Sequence, residues 1–219
     1  GQKLPKKILT ERGARTAVER RLIKETVSKI TWIASLKSAT IGVKAYTDKT
    51  REYQEVQVFH AELRGKAKVS KFMELFHRSI AYPLLLIVSF EKENTISVAH
   101  KRHSLSEKGA VVMDGEIIAA AIASLQPENS INAFINSLAV PSQPHTDLLD
   151  FYNGWVASIT GRIVERRIRK FSLPDSPEDA ANMRIAVAEC QRIEDRMVSI
   201  RKEAAKEKQM SRQVELNME

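Results

Sequence analysis

The chain has 219 residues, 43% of them hydrophobic, with a formal net charge of +8, which is enough for one good-sized core or for a smaller globular domain with a helical appendage. Cys190 is the only cysteine, so an intramolecular disulfide and a cysteine zinc cluster are both excluded and a cytoplasmic location is expected. The longest apolar run, YPLLLIVSF from Tyr82 to Phe90, is far short of a bilayer span, and the charged start lacks the apolar stretch of a signal peptide, so no membrane insertion or export is expected.

Gly1 to Ile30 carries nine Lys/Arg against three acids. Such a local field attracts polyanions, nucleic acid first, and Arg12, Arg15, Arg20 and Arg21 are the candidate contacts there. Glu11 to Ser28 places Ala14, Ala17, Val18, Leu22 and Val27 at helical spacing beneath that basic face, which predicts a helix. KITWIASL and ATIGVKAY are rich in β-formers, and TDKTRE between Tyr46 and Tyr53 has the Asp and Thr of a turn, so a hairpin is expected to lead into the strand EVQVFHAEL, Glu55 to Leu63. After Gly65, Val69, Phe72, Met73, Phe76 and Ile80 form one stripe of a helix that packs on a sheet. PLLLIVSF reads as a buried central strand, followed by a Lys-Glu-Asn turn and a second strand from Thr95 to His100. From Lys108 to Ser124 the β-branched residues favour strand, with Asp114-Gly115 as a hairpin turn. NSINAFINSLAV predicts a short helix, and PSQPH from Pro141 to His145 a boundary.

The last third is helical in pattern. Thr146 or Asp147 caps a long helix through TDLLDFYNGWVASITGRIVERRIRKF. Ser176 or Asp175 caps the next, with Pro177 at its first position. In that second helix Met183, Val187, Cys190, Ile193, Met197, Ile200 and Ala204 make a near-heptad seam. The pattern predicts an α+β domain over 1–140, with a mixed sheet of about five strands and packed helices, and an antiparallel two-helix, coiled-coil-like arm over 141–219. The arm is a candidate assembly surface, for a protein partner or for a second copy of the chain, and Cys190 on its seam would be buried and unreactive.

Chemistry has one candidate. His60, Glu62 and Arg64 alternate along one strand, and an acid two before a base is the core of the PD-(D/E)xK nucleases, in which two carboxylates hold Mg or Mn to activate water. Asp48 is the only upstream Asp. It sits in a turn that favours Asp for conformational reasons, and Arg64 stands where Lys is more usual and positions water less readily than Lys does. The structural reading, Glu62 paired with Arg64 or with a cation of a neighbouring strand, is preferred, with no catalytic residue, no metal and no cofactor expected. The His100 to His103 stretch HKRH lacks metal-ligand geometry on a strand, because positions 100 and 103 face opposite ways. Lys101 and Arg102, and Arg166, Arg167 and Arg169 at the end of the long helix, are further candidate phosphate contacts. The glycine loops of nucleotide-dependent enzymes are lacking.

EVQVFHAEL, SIAYPLLLIVSFE, VAHKRHS, TDLLDFYNGWVASI and QMSRQVELNME, taken in order from Pro5 to Glu219, resemble a bacterial family known as domain of unknown function 4391. Members of that family tend to be encoded beside a DNA methyltransferase and a superfamily-two helicase in defence-like clusters. The resemblance implies a context rather than a catalytic role. It implies an accessory or assembly subunit that binds a helicase, a methyltransferase or nucleic acid.

Overall fold

Continuous and alternating apolar runs sort most strands of this chain onto one mixed sheet with helices on both faces, a small hairpin forming a second, two-stranded sheet. A computed structural model describes residues 1–14, 16–65, 68–122, 128–207, 209 and 218. In chain order the elements are β1 (Gln2–Lys3), α1 (Lys7–Arg12), α2 (Ala17–Thr26), β2 (Val27–Lys37), the single turn α3 (Ser38–Ile41), the small hairpin β3 (Tyr46–Thr47) and β4 (Glu52–Tyr53), and β5 (Glu55–Leu63). There follow α4 (Val69–Ser79), β6 (Leu84–Phe90), β7 (Glu93–His103), β8 (Val111–Ala121), α5 (Glu128–Ser137), a 3-10 turn at Val140–Ser142, α6 (Leu148–Ile168) and α7 (Pro177–Lys206).

The main sheet has the order β1-β2-β5-β6-β7-β8, six strands where about five were expected, the extra one being the two-residue edge strand β1. All neighbours are antiparallel except β5 and β6, which α4 joins as a parallel crossover. Along β5, Val56 and Val58 face one core while Phe59, Ala61 and Leu63 face the other. Helices α1, α2 and α4 cover the second face through Leu9, Ile23, Phe72 and Phe76, and α5 and α6 cover the first through Phe134, Phe151, Tyr152 and Trp155. The class is therefore α+β with a mixed sheet, as the sequence predicts.

Three elements differ from their expected form. The helix predicted over Glu11 to Ser28 is broken, and α2 starts on a Thr16–Glu19 capping box whose hydroxyl accepts from the Glu19 amide. ATIGVKAY is not a strand, because β2 already extends to Lys37 and the chain then makes the turn α3, closed by Gly42 at φ 72°. Asp114-Gly115 is not a hairpin turn either. β8 runs straight through it, with Gly115 at φ 85° in a bulge where the register to β7 jumps from Val98–Ile118 to His100–Asp114. Tyr152 of α6 satisfies this irregular stretch. Its hydroxyl accepts from the Ala99 amide at 2.9 Å and lies 2.8 Å from the Leu84 carbonyl oxygen and 3.0 Å from that of Ala99.

Both C-terminal helices start on the caps expected of them, Asp147 for α6 and Ser176 with Pro177 for α7. They pair, but not as an arm standing off from the sheet. Leu148, Phe151, Tyr152, Trp155 and Ile159 belong to the same core as β6, β7 and β8, so the change of sequence character at residue 141 is no break in the core. Nor do the helices run antiparallel. Arg184 donates to Thr160, and Arg167 donates to Gln191 and to Glu194, a nearly constant offset that places the two helices side by side in the same direction. Residues 169–176 make the return: at Gly161 a side chain would collide with the Ser172 carbonyl, so the returning chain passes against α6 at a position without a Cβ.

Candidate functional site

The β5 triad sits at the end of the sheet that α6 leaves uncovered. His60 Nε2 lies 2.7 Å from Ser89 Oγ, which in turn donates to Asn94 Oδ1 at 2.5 Å. Glu62 is half-exposed and stands 3.7 Å from Lys29 on β2, its register neighbour. Arg64 turns away to the carbonyl of Glu25. Asp48, the second carboxylate a nuclease reading needs, is elsewhere. It closes the β3–β4 turn by accepting from Thr50 N at 2.6 Å, Arg51 N at 2.7 Å and the Tyr46 hydroxyl at 2.7 Å, and these bonds, led by that from Tyr46, hold its carboxyl well below the usual carboxylate range.

The separation follows from the sheet. Glu62 is in register with Ser89, and Ser89 with Asn94 at the start of β7, whereas Thr50 accepts from the amide of His103 at its far end. Asn94 to His103 is about 30 Å of extended strand. One divalent cation cannot bridge that distance, so Asp48 and Glu62 do not fit a shared Mg or Mn. Among the described residues, no group of three His, Cys, Asp or Glu side chains could hold a metal ion.

The HKRH strand end is a polar core rather than a phosphate surface. His100 is largely buried between Tyr53 and Tyr152. The Tyr53 hydroxyl accepts from the Lys101 amide at 3.3 Å and so gives its own proton to His100 Nδ1 at 2.7 Å. Burial pushes His100 down to about 4, which keeps it a neutral acceptor. Lys101 points to the opposite face and is 2% exposed. Its ammonium donates to the carbonyls of His77 and Ile80 as α4 ends, and burial pushes it down to about 8. Beneath it His77, fully buried against Ser97, is pushed down to about 3 by burial and then by the Lys101 charge. Arg102 faces Asp114 at 3.5 Å, and Arg51 holds the same carboxylate at 2.5 Å, tying the β3–β4 hairpin to β8. An open cavity of about 280 Å³ lies alongside, lined by Glu52, Gln54, Tyr82, Lys101, Arg102 and His103.

The other predicted cations are scattered. Arg12 lies in α1, but its side chain and the whole of Arg15 fall outside the described residues. Arg20 and Arg21 are exposed on α2, Arg21 pairing with Glu25 at 2.7 Å. Arg166 and Arg169 are exposed at the end of α6, while Arg167 is bound to α7. What the sequence reading missed lies in the same segment. Arg162 and Glu165 are buried together at 2.5 Å, Arg162 also donating to the carbonyls of Ala121 and Ile122 and stacking over Phe134 at 5.5 Å. The available signal was their i, i+3 spacing, with the apolar Ile163 and Val164 between them.

The surface with most unexplained apolar character is on α7. Ala180 is buried against α6, but residues 188–199 are all exposed. Ile185 is 67%, Ile193 47%, Met197 44% and Val198 46% exposed. Cys190, expected to be buried on the seam, is exposed as well, because α6 covers only the flank of α7 that carries Ala180, Arg184 and Gln191 and stops at Ile168. Among the described residues, no helix is long and apolar enough to cross a membrane.

No curated protein and no solved structure matches the chain. One family model does, over residues 1–219, and it is the one that the order of segments along the chain resembles: this protein belongs to the family described as Domain of unknown function (DUF4391).

Proposed function

We propose that this chain is a non-catalytic accessory or assembly subunit that works with a DNA methyltransferase or a helicase, binding protein partners and touching nucleic acid through its basic surfaces. The apolar surface of α7 carries this reading. Ile185, Ile193, Met197 and Val198 lie open on a single helix, more apolar exposure than a merely solvated helix needs, and apolar exposure of this kind marks surfaces that are covered in an assembly. The two enzyme classes are suggested by the family, whose members tend to be encoded beside them. Arg20, Arg21 and Lys24 on α2 and Arg166 and Arg169 at the end of α6 are exposed, which suits contact with a phosphate backbone. The expected home is the cytoplasm, where such enzymes meet DNA.

Co-expression of the chain with a DNA methyltransferase and with a superfamily-two helicase, the two classes beside which members of the family tend to be encoded, tests the reading. A stoichiometric complex with one of them, stable through size-exclusion chromatography, is the expected result. Failure of both to co-purify with the folded chain overturns it.

A further inference from the structure

Two cavities open at the end of the sheet where β5 and β6 begin, and one side chain lines both. The larger, of about 510 Å³, is walled by Leu4, Trp32, Phe59 and Tyr82, with Lys3 and Gln57 among its polar members. The smaller is the cavity beside His103, and Tyr82 belongs to it as well. The Tyr82 residue is 47% exposed. Pro83 behind it is buried, and the Pro83 carbonyl accepts from the Gln57 amide at 2.9 Å, so the ring stands on a fixed backbone. The N-terminal wall is fixed too, by the Leu4 amide on the Ile30 carbonyl and by the Lys6 ammonium on that of Val27. Trp32 spends its indole N–H on Gln57 Oε1 at 2.6 Å and on the Ala34 carbonyl at 3.1 Å, which leaves its apolar surface for the cavity. Gln57 itself is 6% exposed. Its Oε1 accepts from Trp32 and its Nε2 donates to Ser35 at 3.3 Å, so this buried amide retains one hydrogen and one acceptor site. Lys3 is exposed and in no ion pair among the described residues, whereas Glu11 on the same wall is neutralised by Lys7 at 3.3 Å. Lys101 and Arg102 add no free charge, being held by the α4 carbonyls and by Asp114.

We propose that this end of the sheet binds single-stranded DNA, one base entering the larger cavity against Trp32 and Tyr82 and its neighbour stacking on the other side of Tyr82. The inference deepens the nucleic-acid part of the proposed function, on which the choice of DNA rests. Each part of the lining answers one part of a nucleotide. An exposed ring with a cavity on either side is a platform for successive bases, and every base can use it through its π-face. A buried amide with a spare donor and acceptor matches the polar edge of an unpaired base. Lys3, from a segment with nine cations against three acids, meets phosphate, while Glu52 on the rim of the smaller cavity keeps the backbone to the Lys3 side. A duplex does not fit, because its bases are already stacked and paired and would have to be extruded to enter.

Fluorescence anisotropy of a labelled oligothymidine strand about 12 nucleotides long, titrated with the purified full chain, tests the site. The matching DNA duplex and the oligouridine strand serve as comparators, and far-UV circular dichroism shows that each variant keeps its fold. The single strand should bind at least about tenfold more tightly than the duplex. Tyr82→Ala should weaken it about tenfold, and Tyr82→Phe should stay within about twofold of wild type, since stacking uses the ring and not the hydroxyl. Lys3→Gln should lower the slope of log affinity against log salt by about 0.7. Wild-type affinity in Tyr82→Ala, or a duplex bound as tightly as the strand, overturns the site; if Arg20→Gln with Lys24→Gln then abolishes binding, contact through the basic surface of α2 stands without it. Oligouridine bound more than about tenfold tighter than oligothymidine overturns the choice of DNA. A chain that binds no nucleic acid overturns the inference outright, and co-purification with a methyltransferase or helicase then decides the assembly reading separately.

Discussion

Glu62→Gln separates surface from chemistry on β5. Glu62 and Lys29 stand 3.7 Å apart with side chains 41% and 48% exposed. Two unit charges at that distance attract by about 1 kcal/mol in a water-like dielectric, and holding two half-exposed side chains in one geometry takes back most of it. The amide keeps the volume, so the expected loss is about 0–0.5 kcal/mol, or a fall in Tm of at most about 2 °C for a chain of this size. Urea unfolding of wild type and variant measures it, the midpoint shifting slightly at an unchanged slope. The same preparations, incubated with DNA and RNA in magnesium or manganese, should show no cleavage attributable to Glu62. Metal-dependent cleavage that disappears in Glu62→Gln and again in Asp48→Asn would refute the reasoning, since the two carboxylates would then act together across a sheet that holds them about 30 Å apart. A stability loss above about 2 kcal/mol would refute the surface assignment by itself.

The buried ion pair on α6 should behave in the opposite way: Glu165→Gln leaves Arg162 charged in the core and is expected to cost about 3–5 kcal/mol, whereas Arg162→Met with Glu165→Leu recovers most of it, as denaturant midpoints will show. Tyr152→Phe removes the hydroxyl that serves Ala99 and Leu84 and should cost about 1–3 kcal/mol, with an unchanged near-wild-type circular dichroism spectrum below the transition. Stability should also fall as the pH drops. His100 and His77 have folded values of about 4 and about 3, below the ordinary 6.5, so between those limits the unfolded chain binds more protons; their contribution is complete above pH 6.5 and is lost as the pH falls from there toward 4 and 3. Unfolding followed from pH 7 to pH 4 measures this, and His77→Gln should flatten the dependence; an unchanged slope would show that His77 is not buried neutral.

Local pattern and capping chemistry decide much of this protein unaided. The stripe of Phe72, Met73 and Phe76, the apolar run of β6, the Asp147 cap and the Ser176-Pro177 start are legible because each depends on neighbours within a turn or two of the chain, and the family is legible because its segments keep their order over the whole length. Tertiary structure decides the rest, since long-range pairing overrides local preference. Asp114-Gly115 is a hairpin turn by its residues, yet β7 pairs with both sides of it, so the positive φ of Gly115 is spent on a bulge. The direction of α7 could not be read from its heptads, which are silent on whether a neighbour runs with it or against it; the return of the chain past Gly161 sets that. Arg162 shows the same limit at the level of one side chain. In sequence it is one of five cations at a helix end, and only the carbonyls of Ala121 and Ile122, the ring of Phe134 and the carboxylate of Glu165 make a buried cation there tolerable. The candidate site follows this rule too: alternation along β5 puts His60 and Glu62 on one face, but whether Asp48 joins them depends on which end of the sheet the β3–β4 hairpin reaches, and that is fixed by the pairing of Thr50 with His103.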